Sequence, residues 1–426
     1  MPNHKKTPKK KTLLQKLGPG VITGASDDDP SGIGTYSQTG AQFGYNQLWL
    51  ALFSLPFMTV VQEMCGRIGL VTGTGLAGNI RRHYSKWLLY VAVTLLFIAN
   101  TINIGADLGA MAASAQLLIG VRFEILLLVM TAVSLLLEVF VTYDVYSRYL
   151  KYLTLSLFAY IITAFIIAQP WTTIAYRTFV PQFEFSSDYL MNIVAILGTT
   201  ISPYLFFWQA DEEVEEEVKE GRLKAMGVGK PKFSMADIQE MRLDTFIGMA
   251  FSNIVMFFII VTAASALAAR GVTNVETAAD AAEALRPLAG NFAFGLFAIG
   301  IIGTGLLALP ILAGSAAYAL AESFKWKEGL YLKFNQAHGF YGAISIATVL
   351  GLIINFVNIP PFKMLYYTAI LNGIAAPPIL VLILLISNNS IIMGRHTNSR
   401  AANVVGWTIT VIMGAAAVLL LVTLKS

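Results

Sequence analysis

The sequence predicts an all-α polytopic membrane protein built from two repeats of five transmembrane helices with inverted topology, followed by an eleventh helix. Hydrophobic residues make up 56% of the 426 residues and charged residues only 13%, and the mean hydropathy is +0.65. This apolar fraction is higher, and this charged fraction lower, than in soluble globular proteins, and both are typical of a membrane protein with several spans. In addition, the first and sixth apolar stretches are both interrupted by small polar residues and a proline. These observations favour a transporter-like bundle with two broken helices.

Eleven apolar stretches are each long enough to cross about 30 Å of hydrocarbon. Lysine and arginine collect on the cytoplasmic side of membrane proteins. If the N-terminus is cytoplasmic, 22 of these residues lie inside and 6 outside. We therefore predict a multi-pass protein of the inner (plasma) membrane with a cytoplasmic N-terminus and an external C-terminus. The stretches lie near residues 17–43, 47–70, 87–118, 123–142, 149–170, 189–209, 244–269, 290–322, 337–358, 364–387 and 402–424.

The span order divides the chain into segments. A basic cytoplasmic tail covers 1–16, and the first five-helix repeat covers 17–170. The second, inverted repeat covers 189–387 and includes a cytoplasmic segment at 210–243. The additional transmembrane helix covers 402–424.

Composition also excludes several functions. The net charge of +4 is too small to indicate a nucleic-acid partner, and the single cysteine, Cys65, excludes an intramolecular disulfide framework and a cysteine-cluster metal site. No nucleophile–base pair or cofactor motif is visible, so we predict neither an enzyme nor a bound cofactor. The lipid bilayer is the expected environment, and no obligatory protein partner is evident.

The first span contains the strongest functional signal. Asp27, Asp28 and Asp29 stand together inside an apolar stretch and are followed at once by Pro30. Proline lacks an N–H and disfavours helix at the residue before it, so a helix should end near Asp27 and begin again near Ser31. Charged residues at membrane depth are rare and usually functional. Carboxylates beside freed backbone carbonyls predict a cation site.

The sixth span carries a second break at the corresponding position. Gly198, Thr199, Thr200, Ser202 and Pro203 interrupt its hydrophobic run. Spans one and six enter the membrane from opposite sides, as two inverted five-helix repeats require. In such transporters the substrate binds between the two broken helices near the bilayer midplane. A single proline kink would be weak evidence, because membrane helices often contain one.

Two further polar features have open interpretations. Asp107 in the third span is either a second cation or proton station or a packed structural carboxylate. The acidic run DEEVEEEVKE at the start of segment 210–243 favours a solvated helical extension stabilised by Glu–Lys pairs. A vestibule that attracts cations is the alternative.

These motifs resemble the NRAMP family of divalent-metal transporters. The family has Asp-Pro-Gly-Asn in its first span, where this chain has Asp29-Pro30-Ser31-Gly32. The stretch ADLGAMAASAQLLIG is similar to the family's third span, with Asp107 where a glutamate is usual. Further similarity lies at QEMCGRIGLVTGTGLA, 62–77, and RLDTFIGMAFSN, 242–253. The resemblance implies the LeuT-type inverted-repeat fold, with ten core helices, an eleventh helix, and helices one and six broken at the midplane.

The chain departs from the family at positions that matter for ion choice. The family's sixth-span Met-Pro-His-Asn matches Ser202-Pro203-Tyr204-Leu205, and its first-span asparagine matches Gly32. Two histidines that the family associates with proton movement match Tyr204 and Gln209. Sulfur ligands select transition metals, whereas oxygen-only sites suit hard ions such as Mg²⁺. These departures resemble the NRAMP-related magnesium transporter branch.

The predicted function is therefore import of Mg²⁺, together with Mn²⁺, by alternating access without obligatory proton coupling. The ion is the transported substrate and not a cofactor. A proton-coupled Mn²⁺/Fe²⁺ importer and a transporter of small organic amines are the alternatives. Asp29 is the first candidate ligand and Asp107 a possible second station. Gly32 and Tyr204 are expected to shape the pocket. Four further residues are candidate ligands of the ion, either directly, through a backbone oxygen or through a water molecule. They are Asp28, Ser26, Thr199 and Ser202.

Overall fold

The computed structural model describes residues 18–141, 153–184, 186–357 and 359–423, and these residues are mostly helical. The predicted tail 1–16 lies outside the described residues. The helices are α1 Pro19–Asp27, α2 Pro30–Phe43, α3 Trp49–Thr72, α4 Leu76–His83, α5 Lys86–Ile119, α6 Phe123–Phe140, α7 Phe158–Ile166, α8 Trp171–Phe179, α9 Ser187–Thr200, α10 Pro203–Lys219, α11 Met235–Ala266, α12 Ala278–Ala282, α13 Arg286–Ala289, α14 Ala293–Phe324, α15 His338–Ile354, α16 Pro361–Asn388, α17 Ser390–Met393 and α18 Arg400–Thr423.

The polytopic helical fold is confirmed, but fewer helices than predicted meet the length and hydropathy expected of a span. Within the described ranges eight do so, or nine if α7 and α8, which bend by 120°, form one span. The predicted span 17–43 is divided into two short helices, and α15 has only 17 residues. The predicted span 149–170 lies partly outside the described residues. The count of eleven spans and the division into repeats 17–170 and 189–387 therefore stay predictions.

Both predicted helix breaks are present. Helix α1 ends at Asp27 and α2 begins at Pro30, while α9 ends at Thr200 and α10 begins at Pro203. Each second half begins with the proline, which is favourable at the first helical position because its missing N–H would have no partner there. The first halves α1 and α9 thus end in the interior of the bundle, and their terminal carbonyls lie beside buried side chains.

Glycines bring α1 into backbone contact with α11. A Cβ on Gly20 would lie 2.5 Å from Thr245 N, and one on Gly24 would lie 2.6 Å from Gly248 Cα. Small residues allow membrane helices to approach this closely. Asp244 of α11 then accepts hydrogen bonds from the N–H groups of Gly18 (2.9 Å) and Gly20 (2.6 Å). This carboxylate caps the start of α1, where the helix dipole favours a negative charge.

The Gly24→Ala variant is expected to be less stable, because its methyl group would overlap the Gly248 backbone and push α1 away from α11. Overpacking of this kind costs about 1–3 kcal/mol. The measurement is the thermal unfolding midpoint of the purified protein in detergent. The matched control is Gly342→Ala in α15, where a Cβ would meet no atom of the described residues within 4 Å. Equal midpoints for the two variants would contradict the close packing of α1 on α11.

The prediction for the acidic run was half right. Helix α10 continues to Lys219 as expected, but the carboxylates are not solvated. Asp211 and Glu217 are fully buried and Glu215 is 1% exposed. The reason is that α10 packs between α3 and α14 instead of projecting into water. Two Glu–Lys pairs are present, both made by Lys219, whose Nζ lies 3.3 Å from Glu215 and 3.6 Å from Glu212.

Candidate cation site at the helix breaks

Asp29 is held in place by the start of α2. Its backbone is extended, and its Oδ1 accepts hydrogen bonds from Gly32 N and Ser31 Oγ, both at 2.7 Å. This is the N-cap arrangement, in which a side-chain oxygen satisfies N–H groups that have no partner inside the helix. Because Oδ1 is occupied in this way, Oδ2 is the oxygen that faces the interior of the bundle.

The Oδ2 atom of Asp29 faces the second broken helix. Tyr204 OH lies 3.4 Å from Oδ2 and 3.2 Å from the backbone oxygen of Ser26. A regular helix would pair the Ser26 carbonyl with the N–H of residue 30, but Pro30 has none. A carboxylate oxygen and a freed carbonyl, both suitable cation ligands, therefore converge on one hydroxyl group. Gly32 and Tyr204 thus both contact Asp29, and their predicted part in shaping an ion pocket stays a prediction.

At the second break, too, a proline leaves a backbone carbonyl without its helical partner. Pro203 leaves the Thr199 carbonyl without its helical N–H, and Ser202 Oγ instead donates to the carbonyls of Thr199 (2.8 Å) and Gly198 (2.6 Å). Ser202 and Thr199 thus contact each other across the break. Neither makes a hydrogen bond to Asp29 within the described part of the chain.

The other two aspartates of the first break face α11. Ser252 Oγ donates to Asp27 Oδ2 at 2.5 Å and lies 3.4 Å from Asp28 Oδ1. Asp27 Oδ1 and Asp28 Oδ2 are buried and have no hydrogen-bond partner among the described residues. Buried carboxylate oxygens without partners are costly unless a cation or a proton is bound. Asp28 thus contacts Ser252 and not Tyr204 in the described hydrogen-bond network, and its part in cation binding stays a prediction.

Asp107 belongs to the same buried region. It is fully buried in α5, and it interacts electrostatically with Asp29 and lies beside the Ser31 backbone. It is thus placed as a neighbour of Asp29 and not in a separate part of the core. Its role as a second cation or proton station stays a prediction.

Two site residues were not predicted from the sequence. Asn103 Nδ2 lies 3.3 Å from Asp29 Oδ2, and Thr368 Oγ1 of α16 donates to Asn103 Oδ1 at 2.8 Å. Thr368 therefore sets the orientation of the amide, so that its nitrogen and not its oxygen faces the carboxylate. The signal for Asn103 was its place one turn before Asp107, on the same helix face. No comparable signal marked Thr368.

Among the described residues, the hydrogen-bond partners of Asp29 offer oxygen or nitrogen atoms and none offers sulfur. The sulfur of Met111, one turn beyond Asp107, packs against Gly305. Among the described residues, no three His, Cys, Asp or Glu side chains converge in a preformed metal cage. The arrangement can hold a cation through one carboxylate, backbone oxygens and water, which is the way proteins usually bind hydrated Mg²⁺.

A helical membrane bundle in which two broken helices converge on buried carboxylates has the architecture of a secondary transporter. A family profile described as "Natural resistance-associated macrophage protein-like" matches residues 20–423. The chain therefore belongs to the Nramp family, which is a family of transporters and not of enzymes.

Individual relatives agree with this assignment over almost the whole chain. The divalent metal cation transporter MntH of Klebsiella pneumoniae (strain 342) is 22% identical over 417 residues, which are 95% of this chain and 93% of the relative. A crystal structure of a mutant manganese transporter of Eremococcus coleocola has a TM-score of 0.73 at 17% identity, covering 98% of this chain and 88% of that chain. Mhp1, a nucleobase-cation-symport-1 family transporter in a closed conformation, has a TM-score of 0.59 at 13% identity, covering 96% and 91%. These likenesses show the fold and are consistent with the LeuT-type arrangement.

Proposed function

We propose that this protein imports Mg²⁺, and Mn²⁺ with it, into the cytoplasm by alternating access and without obligatory proton coupling. Relatives of the chain are named as a divalent metal cation transporter and a manganese transporter. The observation that carries the proposal is the buried Asp29 Oδ2, which meets Tyr204 OH beside the freed Ser26 carbonyl. This surrounding is made of oxygen, the ligand atom that hard divalent ions prefer.

The chemistry of the second break supports Mg²⁺ in particular. Ser202 stands where the family motif has a methionine, and its hydroxyl is bonded to backbone carbonyls. A serine and a glycine, Gly32, occupy less space than the methionine and asparagine of the family motif. An oxygen-lined site without a sulfur ligand suits an ion that gives up its water reluctantly and binds one or two carboxylates through a partly intact hydration shell.

The absence of obligatory proton coupling is supported by the residues at the two histidine positions. Tyr204 donates toward Asp29 and Ser26. Gln209 accepts from Thr23 Oγ1 at 2.7 Å and donates to Glu213 at 3.0 Å. The membrane potential supplies about 2.3 kcal/mol per charge for each 100 mV, and twice that for a divalent ion. Entry into a negatively charged cytoplasm therefore needs no proton. This proposal includes the predicted orientation, with a cytoplasmic N-terminus.

The test is uptake into proteoliposomes with a fixed inside-negative potential, read by a Mg²⁺-sensitive dye and in parallel by a pH dye. We expect Mg²⁺ entry that depends on the potential and is not accompanied by acidification. A second set of vesicles contains a Mn²⁺-quenched dye. Mn²⁺ entry with acidification and without Mg²⁺ flux would overturn the proposal and favour the proton-coupled alternative, for which the buried Asp107 beside Asp29 would supply the titratable group.

A further inference from the structure

Two buried carboxylates from different helices meet midway along α10, at Asp211. Asp211 of α10 is fully buried, and Glu322 near the end of α14 is 4% exposed. A Cβ on Gly75 would lie 2.6 Å from Asp211 Cγ and 2.9 Å from Glu322 Oε2. The two carboxyl groups therefore flank the same point of the backbone, just before α4.

The Glu322 carboxylate has its own donors. Gly75 N donates to it at 2.6 Å and Gly78 N at 2.7 Å. These N–H groups belong to the start of α4, which has no internal partners for them. The N-terminus of a helix stabilises a negative charge. Glu322 is therefore well placed to remain ionised.

Asp211 has no such donors. Both of its carboxylate oxygens are buried and accept no hydrogen bond from any described residue. Arg81 and Arg82 stabilise the charge on Glu322, but their hydrogen bonds go to the backbone oxygens of Glu322 and Gly227 and not to Asp211. An ionised Asp211 would be a buried anion next to a second anion, which is strongly unfavourable.

The remaining charged neighbours do not supply the missing positive charge. Burial, together with the adjacent Glu322, raises the pKa of Glu328, against the opposing effect of Arg81 and Arg82, and this carboxyl offers no positive charge. Glu212 and Glu215 on α10 itself add negative potential at Asp211, and the ammonium group of Lys219 pairs with these two glutamates, at 3.6 Å and 3.3 Å. The geometry thus calls for a small cation between Asp211 and Glu322. A proton needs only these two carboxyl groups, whereas a metal ion held by them would need further oxygen ligands or water.

We propose that Asp211 and Glu322 bind one proton between them while this face of the protein is closed, and release it to water when the face opens. In the closed form protonated Asp211 donates its O–H to the Glu322 carboxylate, as in other pairs of carboxyl groups that share a proton. Opening separates α10 from α4 and α14, and Asp211 then ionises in water. The assignment of this face to the cytoplasm rests on the proposed function.

This proton site regulates opening without carrying protons across the membrane. The proton is bound from and released to the same side, so uptake would depend on cytoplasmic pH although no proton flux accompanies the ion. The closed form binds one more proton than the open form. Acid therefore favours closure, and the opening equilibrium rises by up to about tenfold per pH unit.

Hydrogen–deuterium exchange of the reconstituted protein tests the site without any transported ion. The readout is exchange in peptides covering residues 73–83, corrected for the intrinsic pH dependence of amide exchange, from about pH 5 to about pH 8. Protection in the wild type is expected to decrease as the pH rises. Asp211→Asn is permanently neutral and retains a donor for Glu322, so its protection is expected to be high and independent of pH.

Control variants keep the outcome interpretable. Glu220→Gln removes a carboxylate near the surface, just after the C-terminus of α10, where it pairs with Arg222 at 2.7 Å, and should keep the wild-type pH dependence. Glu322→Gln is the second variant, to be used if Asp211→Asn folds poorly. It retains an acceptor for the N–H groups of α4, and its exchange should lose the dependence on pH. A wild-type pH slope in Asp211→Asn, or a flat wild type, would overturn the proton site. Absence of Mg²⁺ uptake alongside pH-dependent exchange would instead overturn only the proposed function.

Discussion

Asp29→Ala is expected to reduce the initial rate of Mg²⁺ uptake at least about 100-fold, which corresponds to about 2.7 kcal/mol of lost ion binding. The reason is that Asp29 supplies the only charged oxygen that faces Tyr204 and the Ser26 carbonyl in the described hydrogen-bond network. A buried divalent ion without a carboxylate ligand would lose the interaction that replaces its water. The measurement is dye-reported uptake into proteoliposomes at a fixed negative potential.

The alanine variant alone is ambiguous, because Asp29 also caps α2. Loss of an N-cap costs about 1 kcal/mol of stability. Asp29→Asn resolves this, since asparagine is an equally good cap but carries no charge. We expect Asp29→Asn to unfold at the wild-type temperature and still to transport poorly. Wild-type uptake by Asp29→Asn would show that the carboxylate acts only as a cap and would remove it from the cation site.

Ser202→Met is expected to shift the ratio of Mn²⁺ to Mg²⁺ uptake toward Mn²⁺ by at least about tenfold. A thioether is a soft ligand that favours transition metals over Mg²⁺. The substitution also removes the hydroxyl that occupies the Gly198 and Thr199 carbonyls, which leaves the Thr199 carbonyl available to an ion. The ratio is measured with both ions in the same vesicles, and Cd²⁺ provides a softer third ion.

Ser202→Leu is the matched control for the methionine variant. Leucine has nearly the same volume and removes the same hydrogen bonds, but it offers no sulfur. A shift in Ser202→Met that is absent in Ser202→Leu would assign the change in selectivity to the sulfur. Equal ratios in the two variants would mean that pocket volume, and not ligand chemistry, sets the choice of ion at this position.

The main features of the candidate site follow from local chemistry, and they were predictable for that reason. Pro30 and Pro203 remove the N–H groups that would have paired with the carbonyls of Ser26 and Thr199. A break in each helix is then unavoidable, whatever surrounds it. The three aspartates beside the first break are too polar for lipid, so their place inside the bundle also follows from the sequence. The family resemblance, carried by the same residues, is confirmed by the match over residues 20–423.

Orientation within the bundle was not predictable in the same way. Asp27 and Asp28 bond Ser252, which is more than 220 residues away along the chain. Asn103 acquires its role only because Thr368 holds its amide. A single sequence contains no local signal for such pairs, because they depend on which helices become neighbours.

By itself, the sequence determined that this is a polytopic helical membrane protein with two proline-broken helices and a cluster of aspartates at the first break. The length of an apolar stretch and the missing N–H of proline act locally, so their effects can be predicted without a structure. The tertiary structure decided that Asp29 and not Asp27 or Asp28 faces Tyr204, and that the acidic run of α10 is buried against Gly75 and Glu322 instead of solvated. The physical reason is that the direction of a side chain on a helix has meaning only relative to the helices packed around it.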